Sequence, residues 1–297
     1  MEKEPQKKKK NKNWPLYLIL VVLVLGAIGT IAYPAVSNAL HVQQKDMIRK
    51  DYVSKVEAQD DSAKQRQLEQ ARAYNKALLL GDEALREFNY TEILNPNGTG
   101  IMGFIEIPRI EVNMPIYHGD TNEGLEKGAS HLLGSSLPVG GESTHSVVSA
   151  HTGLAGEKMF TDLDALEVGD VFYLHVLSDV YAYEVDNIAV VLPSDTALLA
   201  IEKGCDQCTL FTCTPYAINT HRLLVRGHRI PYEKAVEVQE YREKTAAPIE
   251  SQWQETYLDS LKLGLLIGGA LVVFLVIVTS IRRAVKKRKK KAVSENE

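Results

Sequence analysis

The chain has few cysteines: Cys205, Cys208 and Cys213 are the only three in 297 residues. An odd number cannot pair completely, so a domain outside the cell would keep at least one free thiol. Cys205 and Cys208 form a single C-x-x-C motif, and neither a second such motif nor a histidine–cysteine cluster accompanies it. A four-ligand zinc site is therefore excluded. We expect no metal and no other cofactor, and we interpret Cys205 and Cys208 as an incidental pair or a local disulfide.

The middle of the chain lacks an excess of positive charge. Residues 1–15 hold six lysines against two glutamates, residues 282–297 hold eight basic residues against two glutamates, and acidic residues dominate between them. A fold that binds nucleic acid would present a basic face, so we predict no nucleic-acid partner. The two basic tails could still bind nucleic acid or lipid headgroups, but tails that set membrane topology are the favoured interpretation.

Each basic tail adjoins an apolar stretch, at residues 16–36 and 261–281, and the second stretch contains no charge from Leu263 to Ile281. About 20 apolar residues match the thickness of the bilayer core. Because lysine and arginine mark the cytoplasmic side, we predict a two-pass plasma-membrane protein with both termini cytoplasmic and residues 37–260 outside the cell. The first stretch could instead be a cleaved signal peptide, since small residues follow it.

The region outside the membrane divides by composition into three segments. Residues 37–97 are polar with helical spacing of their apolar residues, which predicts a helical stalk and a candidate lid. Residues 98–232 are β-rich, and residues 233–260 are rich in Glu and Lys, which predicts a helical connector. Short β stretches separated by turn residues predict a small sandwich or barrel. Seven stretches fit this pattern: 101–107, 112–117, 145–150, 170–177, 180–192, 208–213 and 221–230.

The stretch TLFTCTP at 209–215 looks like a strand that ends on Cys213 before a proline. A buried core thiol is one interpretation and a nucleophile is the other. A nucleophilic cysteine needs a proton partner, because the thiolate is the reactive form. It also needs a donor for the oxyanion that forms. Arg222 follows nine residues later, so an antiparallel hairpin would place it beside Cys213; the alternative is a surface arginine in a salt bridge.

Eight histidines compete for the role of proton partner. Strand alternation turns His221 away from the face of its neighbour Arg222. His151 follows the stretch HSVVSA and precedes a glycine turn, so it sits at a strand end, as Cys213 does. Spacing alone makes His151 the best of several candidates, with His118, His131, His145 and His175 still open.

The segment TLFTCTPYAINTHRLLVRGHR closely resembles the active-site segment of sortases, whose pattern is T-L-x-T-C followed by an arginine about nine residues on. VVSAHTGL resembles the histidine segment of that family, which selects His151. The C-T-P-Y extension, together with GFIEIPRIEVNMPIYHG, resembles the pilus-assembly subgroup, the class C sortases of Gram-positive bacteria. The resemblance implies a mainly β fold, an eight-stranded sortase-type β-barrel with N-terminal helices, here flanked by two transmembrane helices.

The resemblance also implies an activity, which is transpeptidation at an LPXTG-like sorting signal. Cys213 would attack the Thr–Gly carbonyl, His151 would transfer protons, and Arg222 would bind the oxyanion. Thr212 and Leu210 would contact the substrate. The partners would be pilins or surface proteins with C-terminal sorting signals, joined through a pilin lysine amine. The alternatives are a cysteine protease that releases its substrate to water, anchoring of surface proteins to the cell wall, and a non-enzymatic scaffold.

Many class C sortases carry an N-terminal lid with an Asp-Pro-aromatic tripeptide, and this chain lacks that tripeptide. The nearest stretch is LLLGDEALREFNY at 78–90. A lid with different anchors is expected there, and its candidate residues are Asp82, Phe88 and Tyr90.

Overall fold

The computed structural model describes residues 14–119, 121–154, 156–249 and 251–294. The chain forms two compact units. One is Ser37–Gln254, and the other combines the residues up to Val36 with those from Glu255 onward. The first of these contains all eight strands, so it is the unit in which chemistry is to be sought.

The α-helices are α1 (Trp14–Glu57), α2 (Asp61–Leu80), α3 (Asp82–Leu85), α4 (Asn122–Lys127), α5 (Tyr232–Thr245) and α6 (Gln252–Ser294). The strands are β1 (Ile101–Ile107), β2 (Val112–His118), β3 (Ala129–His131), β4 (Thr144–Ser149), β5 (Val171–Val176), β6 (Asp179–Val191), β7 (Asp206–Thr214) and β8 (His221–Ile230). Short 3-10 turns lie at Tyr90–Glu92, Pro108–Ile110, Leu163–Ala165 and Ala197–Leu199.

The eight strands close into a barrel in the order β1-β2-β3-β4-β7-β8-β6-β5. This confirms the predicted eight-stranded barrel with N-terminal helices. The seven β stretches of the sequence all form strands, and the eighth, β3, has three residues. Such a short strand has no alternation to detect. Between β4 and β5 the chain makes the 3-10 turn at Leu163–Ala165.

Alternation along the strands separates the inside of the barrel from its outside. On β7 the side chains of Cys208 and Leu210 belong to the buried core, and on β8 those of Leu223 and Val225 do. Residues one position away from these, in either direction, therefore face outward. This assignment decides on which side of the barrel Cys213 lies.

The helices of residues 37–80 pack on the barrel, which differs from the stalk expected from their polar composition. Leu68 and Tyr74 of α2 are buried in the barrel core cluster. The hydroxyl of Tyr52 donates to the carbonyl of Met102 at 3.0 Å and accepts from the N–H of Leu177 at 3.0 Å. A few apolar residues on one face are enough to dock a helix whose other faces are charged.

The connector after the barrel is helical in two pieces. Helix α5 is fastened to the barrel by Arg242, whose guanidinium lies 2.8 Å from Asp170 and 2.7 Å from Glu167. The described residues between the end of α5 and the start of α6 at Gln252 are non-helical. Ser251, just before α6, is buried.

Among the described residues, one helix is long and apolar enough to cross a membrane: Tyr257–Arg282, within α6, with a mean hydropathy of 2.7. The N-terminal apolar stretch is shorter there, at Tyr17–Gly29 in α1. Of the two membrane-spanning helices expected from the sequence, the structure therefore supports the second. The basic residues of the tail before residue 14 lie outside the described residues.

Candidate active site

Three neighbouring strands bring the expected catalytic residues to one end of the barrel. β7 and β8 are antiparallel, and Cys213 is the direct partner of Arg222 in their register, as the hairpin spacing predicts. β4 runs parallel to β7, with Ser149 opposite Phe211. Continuing that register by two residues brings His151 level with Cys213.

All three side chains belong to the outward face of the barrel. Cys213 lies an odd number of positions from the core residue Leu210, and its partner Arg222 precedes the core residue Leu223. His151 follows Ala150, which also belongs to the core cluster. Because directly opposed residues share a face, the imidazole, thiol and guanidinium lie on the same side of the sheet.

Backbone and hydroxyl contacts hold the two strand ends together beyond the last ladder pair. The N–H of Ala150 donates to the carbonyl of Phe211 at 3.2 Å. The Thr212 hydroxyl donates to the carbonyl of Ala150 at 2.8 Å. On the other side of the histidine, the N–H of Phe160 donates to the carbonyl of His151 at 3.0 Å. The backbone around His151 is thus bonded on both sides.

The thiol of Cys213 is half-buried in a narrow cleft lined by Thr152, Phe160, Tyr216 and Gln252. All three cysteines are free. Cys208 is fully buried in the barrel, where desolvation raises the pKa of its thiol well above the ordinary value. A buried thiol of this kind is chemically inert, so Cys208 is a core residue. Cys205 and Cys213 are both partly exposed, and of the two Cys213 is the one that lines the cleft.

Arg222 turns its guanidinium toward the turn between β7 and β8. Its Nη1 donates to the carbonyls of Asn219 at 3.1 Å and His221 at 3.0 Å. The guanidinium carbon also lies 6.0 Å from the ring centre of Phe211. A guanidinium has five N–H donors, so Nε and Nη2 have capacity for an oxyanion beside Cys213. The position of Arg222 is explained by these contacts, without the surface salt bridge that was the alternative interpretation.

Burial removes two competing histidines from consideration. His131 is fully buried, which lowers its pKa to about 4, and His145 is buried with its pKa lowered by desolvation. Each is held as a neutral ring: His145, for example, donates from Nδ1 to the Ala200 carbonyl and accepts at Nε2 from the Thr209 hydroxyl. Neither can exchange protons with a substrate.

The two residues expected to contact substrate occupy structural positions. Leu210 is completely buried in the barrel core. Thr212 is buried too, and its hydroxyl is the group that joins β7 to Ala150. Their effect on a substrate would therefore be exerted through the position of Cys213, which follows them on β7.

The candidate lid residues lie on the α2 side of the barrel. The ring of Phe88 packs edge-on against Tyr74 at 5.8 Å. The hydroxyl of Tyr90 donates to Nδ1 of His131 at 2.8 Å and accepts from the N–H of Gly119 at 2.9 Å. Asp82 begins α3, but its side chain lies outside the described part of the chain. A role for this segment as a lid stays a prediction.

A larger cavity of about 530 Å³ opens at the other end of the barrel, beside α2. It is lined by Asp206, the first residue of β7, and by Arg229 near the end of β8. Cys213 lies seven positions beyond Asp206 along the extended strand, or roughly 23 Å away. The cavity therefore has no part in the chemistry of the thiol, and the narrow cleft is the candidate active site.

Comparison with known proteins agrees with this geometry. Residues 105–230 match the sortase domain model. A curated sortase A from Streptococcus agalactiae is 26% identical over 221 residues, which cover 72% of this chain and 84% of that protein. Two solved structures are more similar. Sortase C1 of S. agalactiae is 43% identical, with a TM-score of 0.60, and the match covers 62% of this chain and 98% of that one.

The second is the sortase C of Clostridium perfringens, solved with the C-terminal cell wall sorting motif. It is 44% identical, with a TM-score of 0.56, over 62% of this chain and 98% of that one. Both matches take in nearly the whole of a class C sortase and much of the unit that carries the barrel here. The chain therefore belongs to the sortase family of cysteine transpeptidases and, within it, to class C.

Proposed function

We propose that this chain polymerises pilins: it cleaves an LPXTG-like sorting signal between Thr and Gly and joins the new acyl group to a lysine amine of a neighbouring pilin. The observation that carries the proposal is the level alignment of His151, Cys213 and Arg222 on three adjacent strand ends. Nucleophile, proton carrier and oxyanion donor are the three parts that acyl transfer requires.

In the first half-reaction the thiolate of Cys213 attacks the threonine carbonyl carbon, and a C–S bond forms. Arg222 donates N–H groups to the oxyanion of the tetrahedral intermediate. The Thr–Gly C–N bond then breaks as His151 gives its proton to the leaving glycine amine, which leaves a thioester. In the second half-reaction the lysine amine attacks the thioester and His151 takes the amine proton. The isopeptide bond forms and Cys213 departs as a thiolate.

The sorting signal is supported by similarity. Sortase C1 of S. agalactiae and the other solved class C enzymes match across almost their whole length, and the C. perfringens structure was solved with a sorting motif. That motif belongs to the relative. The catalytic domains of these solved enzymes match this chain closely enough that the same substrate class is the natural first candidate.

The chain is anchored in the plasma membrane by Tyr257–Arg282, with the catalytic domain outside and the basic C-terminal tail inside the cell. The N-terminal apolar stretch, which continues before Tyr17 in the sequence, makes the second pass. Epitope tags at both ends and protease added to protoplasts test this arrangement. Both tags should survive while the catalytic domain is degraded. Loss of the N-terminal tag from the mature protein would instead indicate a cleaved signal peptide.

The test of the activity uses the full chain in detergent, a sorting-signal peptide, and a pilin domain that carries the acceptor lysine. We expect a thioester on Cys213 by mass spectrometry and an isopeptide-linked product that forms only with the pilin. Cys213→Ala should abolish both, whereas the matched variant Cys205→Ala should keep both. Hydrolysis that the pilin leaves unchanged would make the chain a protease. A wild-type chain that forms neither the thioester nor the product would favour a scaffold.

A further inference from the structure

The loop that follows His151 governs the position of that histidine. Phe160 donates its N–H to the His151 carbonyl at 3.0 Å, and the N–H of Gly153 donates to the Thr161 hydroxyl at 3.1 Å. The loop thus folds back on the strand end. If the segment around Phe160 moves, the backbone of His151 moves with it. We call residues 152–164 the histidine loop.

The N-terminal helix reaches this loop through a buried carboxylate. Glu157 is almost fully buried, and the ammonium of Lys45 on α1 lies 3.0 Å from its Oε2. Nδ1 of His41, one turn earlier on the same helix, contacts the other carboxylate oxygen. The two oxygens of a buried carboxylate need such partners, because an unpaired buried charge costs several kcal/mol.

The C-terminal connector reaches the same loop through a second buried carboxylate. Asp162 is completely buried, and its Oδ2 accepts from the Ser251 hydroxyl at 2.6 Å. Lys158, within the loop, lies 3.1 Å from the same oxygen. The next connector residue, Gln252, donates to Asp164 and lines the cleft of Cys213. The connector is therefore part of the active-site wall as well as a support for the loop.

We propose that Lys45 and Ser251 are positioning residues for His151, each holding the histidine loop through a buried carboxylate. The inference rests on the catalytic role of His151 in the proposed function. The two contacts come from the segments that adjoin the apolar parts of α1 and α6 in the sequence. The position of His151 therefore depends on the segments before and after the barrel in the sequence, as well as on the barrel strands.

The size of the effect follows from the geometry of proton transfer. A proton moves efficiently only when donor and acceptor atoms are about 3 Å apart. A displacement of about 1 Å can cost as much as a hundredfold in rate. Removing one of two supports leaves the other in place, so we expect a loss on the order of tenfold in kcat for each single variant.

The experiment uses the full chain in detergent with a sorting-signal peptide and the acceptor pilin. Ser251→Ala and Lys45→Met should each lower kcat on the order of tenfold, with KM changed less than about twofold. Lys45→Arg should restore most of kcat. The matched control is Gln239→Ala, which removes the 2.8 Å hydrogen bond of Tyr173 between α5 and the barrel without touching the loop. An unchanged kcat in both loop variants would overturn the proposal, as would an equal loss in Gln239→Ala.

A second readout separates this proposal from the function it rests on. In a Cys213→Ala background, with labelled histidine, the imidazole resonance of His151 should shift in Ser251→Ala and stay in place in Gln239→Ala. This measurement needs no turnover. If Cys213→Ala proves fully active, the proposed function fails while the resonance still tests the loop. The positioning role alone is overturned if none of the variants shifts the His151 resonance while their melting temperatures equal that of the wild type.

Discussion

The hydroxyl of Thr212 donates to the carbonyl oxygen of Ala150 at 2.8 Å, so the residue before the cysteine is bonded to the residue before the histidine. The ladder between β4 and β7 has ended by this point. Together with the bond from the Ala150 N–H to the Phe211 carbonyl at 3.2 Å, this hydrogen bond continues the register by which Cys213 and His151 come level. The Thr212 hydroxyl, one residue from Cys213, therefore helps to set the distance between the thiol and the imidazole.

Thr212→Val should lower kcat on the order of tenfold and the free energy of unfolding by about 1–2 kcal/mol, because the buried Ala150 carbonyl loses its donor. Thr209→Val is the matched control. It makes the same change on the same strand, where the hydroxyl instead bonds His145 at 2.7 Å. Urea unfolding and steady-state kinetics should show similar stability losses and a loss of kcat confined to Thr212→Val. Equal kinetic losses would contradict the special role of this contact.

Arg222→Ala should lower kcat/KM by about 10²–10³, the usual cost of removing one oxyanion donor. Arg222→Lys keeps the charge but loses the planar fork, so it should recover only part of that loss. The control is Arg226→Ala on the same face of β8, which breaks ion pairs with Asp186 at 2.9 Å and Glu202 at 3.1 Å. Near wild-type kcat/KM is expected there. If kcat/KM fell as far in Arg226→Ala as in Arg222→Ala, the general loss of positive charge would explain both results.

Acid should destabilise the barrel through His131. Burial lowers its pKa to about 4 from the ordinary 6.5. As the pH falls from 7 to 4, the unfolded chain takes up a proton that the folded chain cannot. The free energy of unfolding should therefore fall by about 3 kcal/mol over this range from His131 alone. In denaturant unfolding, the free energy of unfolding of His131→Gln should depend less on pH than that of the wild type. If the two pH dependences are identical, the effect belongs to His118 and His145, whose pKa values are also lowered.

Gly153→Ala should disturb the histidine loop directly. Gly153 has a φ of +69°, which favours glycine, and a methyl group there would lie 3.1 Å from the Tyr216 ring. Either the ring or the loop has to shift. We expect kcat to fall at least about tenfold while the melting temperature drops only a few degrees. Gly169→Ala, with a φ of +91° and open space around it, is the control for backbone strain alone.

The barrel was largely predictable because its strands carry their own signals. Seven stretches of β-branched and apolar residues, separated by turns, correspond to seven strands, and the hairpin of β7 and β8 follows from the short loop between them. This local pairing was enough to place Arg222 beside Cys213. β3 escaped detection because three residues carry no period.

The position of His151 was not derivable from spacing in the same way. It depends on the parallel pairing of β4 with β7, strands separated by the whole of β5 and β6, and only the resemblance to sortases selected this histidine. The contact of Ser251 with Asp162 was equally hidden. A serine and an aspartate 89 positions apart form no pattern that a single sequence displays.

His151, Cys213 and Arg222 come together through contacts of different sequence separation, and this difference predicts the order in which they meet during folding. Cys213 and Arg222 meet in a hairpin of neighbouring strands, which closes a short loop at little entropic cost. His151 joins them only when β4 docks against β7 across a long intervening chain, a step that sequence separation makes slow. We expect the thiol to gain its proton partner last. A chain that has not yet closed its barrel then carries an ordinary cysteine, and reactivity arrives together with the finished fold.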